Sequence, residues 1–229
     1  MSMSRLTQRA KLALPRMLGT GDDTIATLLE ARRSIETETM TDPEAFWIMA
    51  KILVSNRVYA TLAKPDNVLI DVLASEFWDA TQSSPLPVFI PIHHKSPSPR
   101  PRWTLLVIVK KDSDRRVWMK HYSCSWLTWE HEHLIQEEYR DYFYKFGDVK
   151  IDYINPVDPT FPKNDFASAL YTLWVIDRIM VYGVSDDWGD DEPEKFNISQ
   201  FQFERIKPVM LDILDEVMGL VQEQRGLEF

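Results

Sequence analysis

The sequence predicts an α+β protein with a mixed central β-sheet flanked by helices. Two observations carry this prediction. Apolar residues recur with helical spacing near both ends of the 229-residue chain, whereas short apolar runs with strand character lie between residues 88 and 154. The resulting order is helices, strands, helix, strand and two helices, an order typical of α+β domains.

The first 20 residues are basic, with no acidic residue before Asp22. A mitochondrial transit peptide has this composition, but Pro15 interrupts the amphipathic pattern and favours a loose basic tail. The basic residues are Arg5, Arg9, Lys11 and Arg16. We expect residues 1–40 to form an N-terminal extension made of this tail and a helix, followed by a single domain over residues 41–226.

Two helices are expected early in the chain. Residues 22–38 place apolar side chains on one side and charged ones on the other. The segment Thr41–Glu44 predicts the start of a second helix, because Asp42 can cap it and Pro43 suits its first position. This helix should end before Pro65, and the apolar stretch 68–78 is ambiguous between strand and helix.

The apolar period then changes to that of strands. Residues 88–92 predict a short strand, and the uninterrupted apolar run 103–109 is typical of a strand covered on both faces. The intervening segment 93–102 should be a loop, because it contains Pro97, Pro99 and Pro101. The charged turn 110–116 predicts a hairpin that joins the second strand to residues 117–122.

Helices dominate the remainder. We expect a charged helix over residues 130–146, a half-buried strand over 149–154 and a central helix after Asn164 and Asp165, either of which can cap it. Apolar residues cover most of the circumference of that helix, so it should be buried. A final amphipathic helix is expected over residues 207–224, started by Pro208.

Composition excludes several classes of function. A net charge of −9 and a pI near 5.1 argue against general binding to nucleic acid or to an anionic membrane. A single cysteine, Cys124, rules out an internal disulfide and leaves too few thiolates for a zinc site. We therefore expect an intracellular protein, nuclear or cytoplasmic, with no metal, no cofactor and no membrane span.

Several side-chain clusters suggest chemistry but have simpler interpretations. His93 and His94 fit a solvated loop, and Cys124 fits a buried structural thiol, since three residues of strand would turn it away from His121. His131, His133 and Glu137 fit a solvated helix, because residues two apart on a helix diverge. The acidic run 186–192 lacks the ligand spacing of a calcium loop.

Three segments, in this order, resemble the ubiquitin-like (SUMO-specific) cysteine protease family, the adenain-like branch of the papain-type fold. The family has an Ile-Pro strand before His-Trp and an apolar strand, then Tyr-Asp-Ser, then Gln-x-Asn three residues before Cys-Gly and an apolar helix. This chain has Ile90-Pro91 before Arg102-Trp103, then Tyr122-Ser123-Cys124, then Pro162-Lys163-Asn164 three residues before Ser168-Ala169. The resemblance spans roughly residues 45–182 and implies a papain-like fold.

The resemblance also implies that the family's chemistry is lost. It aligns the base His with Arg102, the orienting Asp with Ser123, the nucleophilic Cys with Ser168 and the oxyanion-hole Gln with Pro162. Arginine is permanently protonated and cannot act as a base, and proline offers no side-chain donor to an oxyanion. Trp103 matches the family's groove-lining Trp, so the binding residues implied are Trp103, Asn164 and Ser168.

The function expected from these residues is that of a pseudoprotease, which binds SUMO, another ubiquitin-like modifier or a different protein without hydrolysing it. Two alternatives stay open at this point. One is an active cysteine-type deSUMOylating or deubiquitinating peptidase with a rearranged triad. The other is a structural scaffold subunit.

Overall fold

The computed structural model describes residues 6–40, 43–55, 61–62, 87–93, 103–110, 117–124, 149–154, 164–183 and 201–227. These ranges contain five helices and five strands. The helices are α1 (Gln8–Leu18), α2 (Asp22–Glu36), α3 (Pro43–Ser55), α4 (Asp165–Tyr182) and α5 (Phe203–Leu227). The strands are β1 (Thr61–Leu62), β2 (Val88–His93), β3 (Trp103–Lys110), β4 (Val117–Tyr122) and β5 (Val149–Ile154).

The strands form one mixed sheet in the order β1-β2-β3-β4-β5. The β2–β3 and β3–β4 pairs are antiparallel, while β1–β2 and β4–β5 are parallel. The hairpin predicted between β3 and β4 is confirmed, with Lys110 opposite Val117. The predicted α+β class with a mixed central sheet is confirmed as well.

The middle strand β3 is buried on both faces of the sheet. Trp103, Leu105 and Val107 belong to the apolar core that includes the helices, whereas Leu106 and Ile108 are buried on the opposite face. Side chains alternate between the two faces of a strand, so an uninterrupted apolar run is what such a position requires. The prediction of a strand covered on both faces is therefore confirmed for residues 103–108.

Helix α4 is the centre of the helical layer. It packs on α3, β3 and α5, and all of its residues from Phe166 to Met180 are buried. Asp177 and Arg178, the two charged residues of this span, form an ion pair with each other. The helix ends at Gly183, whose φ of 74° favours glycine. The prediction of a central, buried helix is confirmed.

The expectation of a loose basic tail is wrong for residues 8–18. They form α1, with Thr7 capping the first turn and Pro15 inside the helix. Ala10 and Leu14 are buried in the same core as α3 and α4, and this packing offsets the hydrogen bond that Pro15 removes. The division into an N-terminal extension over residues 1–40 and a single domain over residues 41–226 stays a prediction.

Helix α5 holds the two N-terminal helices through ion pairs. Lys11 of α1 contacts Glu216, and Arg32 of α2 reaches Asp215 at 2.7 Å. Lys207 donates to the carbonyl of Glu36, the last residue of α2, at 3.1 Å and to the carboxylate of Glu38, just after the helix, at 2.7 Å. Together with the Arg225–Asp22 pair, these contacts link the exposed edges of α1 and α2 to α5.

Helix α5 begins earlier than expected. It starts at Phe203 rather than at Lys207, and Pro208 lies inside it. The ring of Phe203 packs edge-on against Phe166 at 5.5 Å, a tertiary contact that residue pattern does not reveal. The predictions for residues 68–78, 130–146 and 186–192 lie outside the described residues.

Candidate functional site

The candidate site lies where the start of β3 meets the start of α4. The backbone N–H of Trp103 donates a 3.1 Å hydrogen bond to the hydroxyl oxygen of Ser168. These residues are 65 positions apart in the chain. The bond brings two of the three segments that carry the family resemblance into direct contact.

The first turn of α4 positions Ser168. The side-chain oxygen of Asn164 caps the helix by accepting a hydrogen bond from the Ala167 amide at 2.7 Å. The backbone carbonyl of Asn164 accepts a second one from the Ser168 amide at 3.1 Å. Of the two cap residues predicted, Asn164 is the one that acts. The Ser168 hydroxyl donates a hydrogen bond to the backbone carbonyl of Asp165 at 2.8 Å. Ser168 is 0% exposed, so its hydroxyl is both enclosed and hydrogen-bonded in two directions.

The ring of Trp103 is enclosed between two other rings. Phe46 of α3 stacks on it with centroids 3.8 Å apart, and His93 of β2 stacks at 4.4 Å. Trp103 is 1% exposed, and its indole nitrogen has no hydrogen-bond partner among the described residues. For Trp103 to line a groove for a peptide tail, the partly exposed His93 has to move off its face.

The partners of Trp103 differ from what the sequence pattern predicts. That pattern puts His93 in the loop, whereas His93 is the last residue of β2 and pairs with Trp103 across the antiparallel ladder. Extending the predicted strand by one residue would have found it, since directly opposed residues share a face. Phe46 carries no such signal, because a helix-to-strand contact depends on the tertiary arrangement.

Ser123 and Cys124 follow the last residue of β4, and both are buried. Burial raises the pKa of the Cys124 thiol from 9.0 to about 12, because the apolar surroundings disfavour the thiolate. Cys124 belongs to the core on the helical side of the sheet. His121 is opposite Leu106, on the other face, so β4 does not aim these two side chains at one another.

Several predicted site residues lie outside the described ranges. They are Arg102 and Pro162, together with His94 and the His131–His133 segment. Within the ranges that the structure describes, no group of three or more His, Cys, Asp or Glu side chains is arranged to hold a metal ion. No helix in those ranges is long and apolar enough to cross a membrane.

No family model matches the chain, and no curated protein sequence matches it significantly. Solved structures do match. The SUMO protease Ulp1 with its catalytic cysteine oxidised to a sulfinic acid aligns with a TM-score of 0.54 and 12% identity, covering 95% of this chain and 100% of that one. A de-sumoylating protease aligns with a TM-score of 0.55 and 11% identity, covering 86% and 87% of the two chains. The SUMO-protease-like fold implied by the sequence motifs is therefore confirmed.

Proposed function

We propose that this protein binds a SUMO-like modifier through the surface around the start of α4 and does not hydrolyse it. The observation that carries the proposal is the state of Ser168. A serine nucleophile must give its proton to a base and present its oxygen to a carbonyl carbon. The hydroxyl of Ser168 is buried, donates to the Asp165 carbonyl and accepts from Trp103.

The residue types at the aligned positions support the loss of hydrolysis. The position of the base carries Arg102, the orienting position carries Ser123 and the oxyanion position carries Pro162. A guanidinium does not accept a proton near neutral pH, and a missing oxyanion donor costs about 3 kcal/mol of transition-state stabilisation. Restoring one position alone leaves the others defective.

The fold supports a modifier as the partner. Two of the structures that share the fold are described as a SUMO protease and a de-sumoylating protease. In this chain Asn164 is exposed at the start of α4, beside the buried contact of Ser168 and Trp103. A modifier that docks over this point would contact Asn164 first and reach Trp103 only if His93 moves.

A rearranged triad is the second candidate, and the position of His93 is the observation that favours it. The ring of His93 stacks on Trp103, whose amide holds the Ser168 hydroxyl. Such a triad needs the imidazole to replace the Asp165 carbonyl as the acceptor of the Ser168 proton. His93→Ala and Ser168→Ala would each abolish the activity of such an enzyme.

Titration of the ¹⁵N-labelled protein with SUMO, and separately with ubiquitin, tests the binding proposal. We expect the amide resonances of Trp103, Asn164 and Ser168 to shift with one of the two modifiers, while that of Gly219, on α5, serves as a control that stays in place. Shifts at none of the three site residues would contradict modifier binding at this surface and leave a scaffold role.

A further inference from the structure

The indole ring of Trp103 is covered on both faces, and the two covering rings are held in different ways. Phe46 stacks at 3.8 Å between ring centroids with an interplanar angle of 13°, and His93 stacks at 4.4 Å with an angle of 25°. Two rings this close to one centroid cannot share a face, because their atoms would overlap. Phe46 therefore covers one face of the indole and His93 covers the other.

The ring of Phe46 belongs to the core. Phe46 is fully buried on α3, and this helix packs on α4. Moving a buried phenylalanine ring out of its place leaves a cavity, which strongly destabilises a protein core. The face of Trp103 that Phe46 covers, its inner face, therefore stays covered while the protein is folded.

The ring of His93 lies at the edge of the same core. His93 is the last residue of β2, it is partly exposed, and its backbone is opposite Trp103 in the antiparallel ladder. The ladder is made by backbone groups, so rotation about the side-chain bonds moves the imidazole without breaking the sheet. The outer face of Trp103, the one under His93, is therefore the face that can be uncovered in the folded protein.

We propose that His93 is an autoinhibitory residue, whose imidazole occupies the outer face of Trp103 and must be displaced when a modifier binds. The inference rests on the proposed function, in which the modifier docks around the start of α4. The hydrogen bond between the Trp103 amide and the Ser168 hydroxyl holds the indole beside that helix start. Because Phe46 covers the inner face, a partner that reaches the indole does so in place of His93.

The stacked pair determines how much the imidazole weakens binding. A modifier that binds only the uncovered state has an apparent dissociation constant equal to the intrinsic one divided by the uncovered fraction. The stacking of two aromatic rings favours the covered state by about threefold to tenfold, and any further contact of His93 increases this factor. Removing the imidazole should therefore strengthen binding. If the imidazole were instead a contact for the modifier, removing it would weaken binding.

Titration calorimetry with SUMO, and separately with ubiquitin, compares two substitutions of His93. His93→Ala removes the stacked ring and should bind the modifier at least about threefold more tightly than the unaltered chain. His93→Phe keeps a ring that stacks on Trp103 and should stay within about twofold of the unaltered chain or bind more weakly. Ile92→Ala is the matched control, because Ile92 points to the other face of the sheet, and its affinity should not change. Circular dichroism verifies that every variant is folded.

Chemical labelling of the same proteins tests the covering of Trp103 without any modifier. A nitrobenzyl bromide reagent attacks accessible indoles, and peptide mapping by mass spectrometry reports each tryptophan separately. We expect Trp103 to resist labelling in the unaltered chain, in Ile92→Ala and in His93→Phe, and to react at least about threefold faster in His93→Ala. Trp174, which is buried on α4, should resist labelling in all four proteins.

The two measurements distinguish a failure of this inference from a failure of the proposed function. Equally slow labelling of Trp103 in His93→Ala and in the unaltered chain would overturn the inference alone, whether or not a modifier binds. Faster labelling with unchanged or weaker binding would also overturn it, because the imidazole would then cover Trp103 without opposing the modifier. Faster labelling with no binding of either modifier by any of the proteins would overturn the proposed function, and the autoinhibitory role with it.

Discussion

The amide of Trp103 and the hydroxyl of Ser168 are joined by a 3.1 Å hydrogen bond that ties the first residue of β3 to the first turn of α4. In the family that the sequence resembles, the corresponding neighbourhood holds a reactive thiol and its base. Here Ser168, in the first turn of α4, stabilises the fold by accepting a hydrogen bond from the buried amide of Trp103. Stability and reactivity should both depend on this contact and on its surroundings.

Ser168→Ala should destabilise the fold by about 1–3 kcal/mol, because it leaves the buried Trp103 amide without its acceptor. Urea unfolding monitored by circular dichroism measures the change. Ser55→Ala is a matched control, since the Ser55 hydroxyl donates to the Ile52 carbonyl but accepts from no distant amide among the residues that the structure describes. We expect the control to lose less than about 0.5 kcal/mol. Equal losses in the two variants would mean that the Trp103 bond contributes nothing.

Asn164→Ala should cost about 1 kcal/mol, because the first turn of α4 loses the acceptor for the Ala167 amide. Asn164→Asp should be nearly neutral, since aspartate also caps and its charge suits the start of a helix. The free energy of unfolding of both variants is the measurement. It distinguishes a role for Asn164 in capping α4 from a role in binding alone. In the latter case both variants would be as stable as the unaltered chain.

Cys124→Val should change how stability depends on pH. The folded thiol keeps its proton up to a pKa of about 12, whereas an ordinary thiol in the unfolded chain loses it near 9.0. Above that lower value the unfolded state binds fewer protons than the folded state, so stability falls as pH rises, by up to about 1.4 kcal/mol per pH unit. Below pH 9.0 this contribution is fully present.

This effect is measured as the difference in the free energy of unfolding between the unaltered protein and Cys124→Val, at several pH values between about 8 and 11. We expect the difference to be constant up to about pH 9 and then to drift in favour of Cys124→Val. A difference that does not change with pH would contradict a buried, protonated thiol. Cys124 in the folded protein should likewise resist alkylation at about pH 8, because the buried sulfur is inaccessible to the reagent and carries its proton.

Ser168→Cys should remain inactive toward a SUMO-fused reporter. A thiol attacks as the thiolate and needs a neighbouring base, while the aligned position carries Arg102. Hydrolysis of the reporter, with an active SUMO protease as the positive control, is the measurement. Cleavage by the single variant would show that a base is already present near residue 168 and would favour the rearranged triad.

Much of this fold could be predicted because its central elements have strong local signals. The run from Trp103 to Val109 requires burial on both faces of a sheet, and the residues after Asn164 require a buried helix. The site could be predicted only from the spacing of the motifs. The hydrogen bond between residues 103 and 168 agrees with that spacing. The residue types on which the proposed loss of hydrolysis rests can likewise be read from the sequence alone.

Other features depend on tertiary packing and left no local pattern. Pro15 made the basic N-terminal stretch look like a tail, whereas burial of Leu14 against the core stabilises a helix there. Pro208 looked like a helix start, but Phe203 extends α5 by packing on Phe166. The enclosure of Trp103 by Phe46 and His93 likewise joins three separate elements, and no single one of them predicts it.

The protein is proposed to bind a modifier and to leave it uncut, and one measurement addresses both the binding and the lack of cleavage. A SUMO precursor that extends beyond its Gly-Gly tail is held with excess protein, and its binding and its mass are followed together over many hours. We predict saturable binding with the precursor intact, under conditions in which an active SUMO protease removes the extension completely. Release of the extension by the unaltered chain, or the absence of any binding, would contradict the claim.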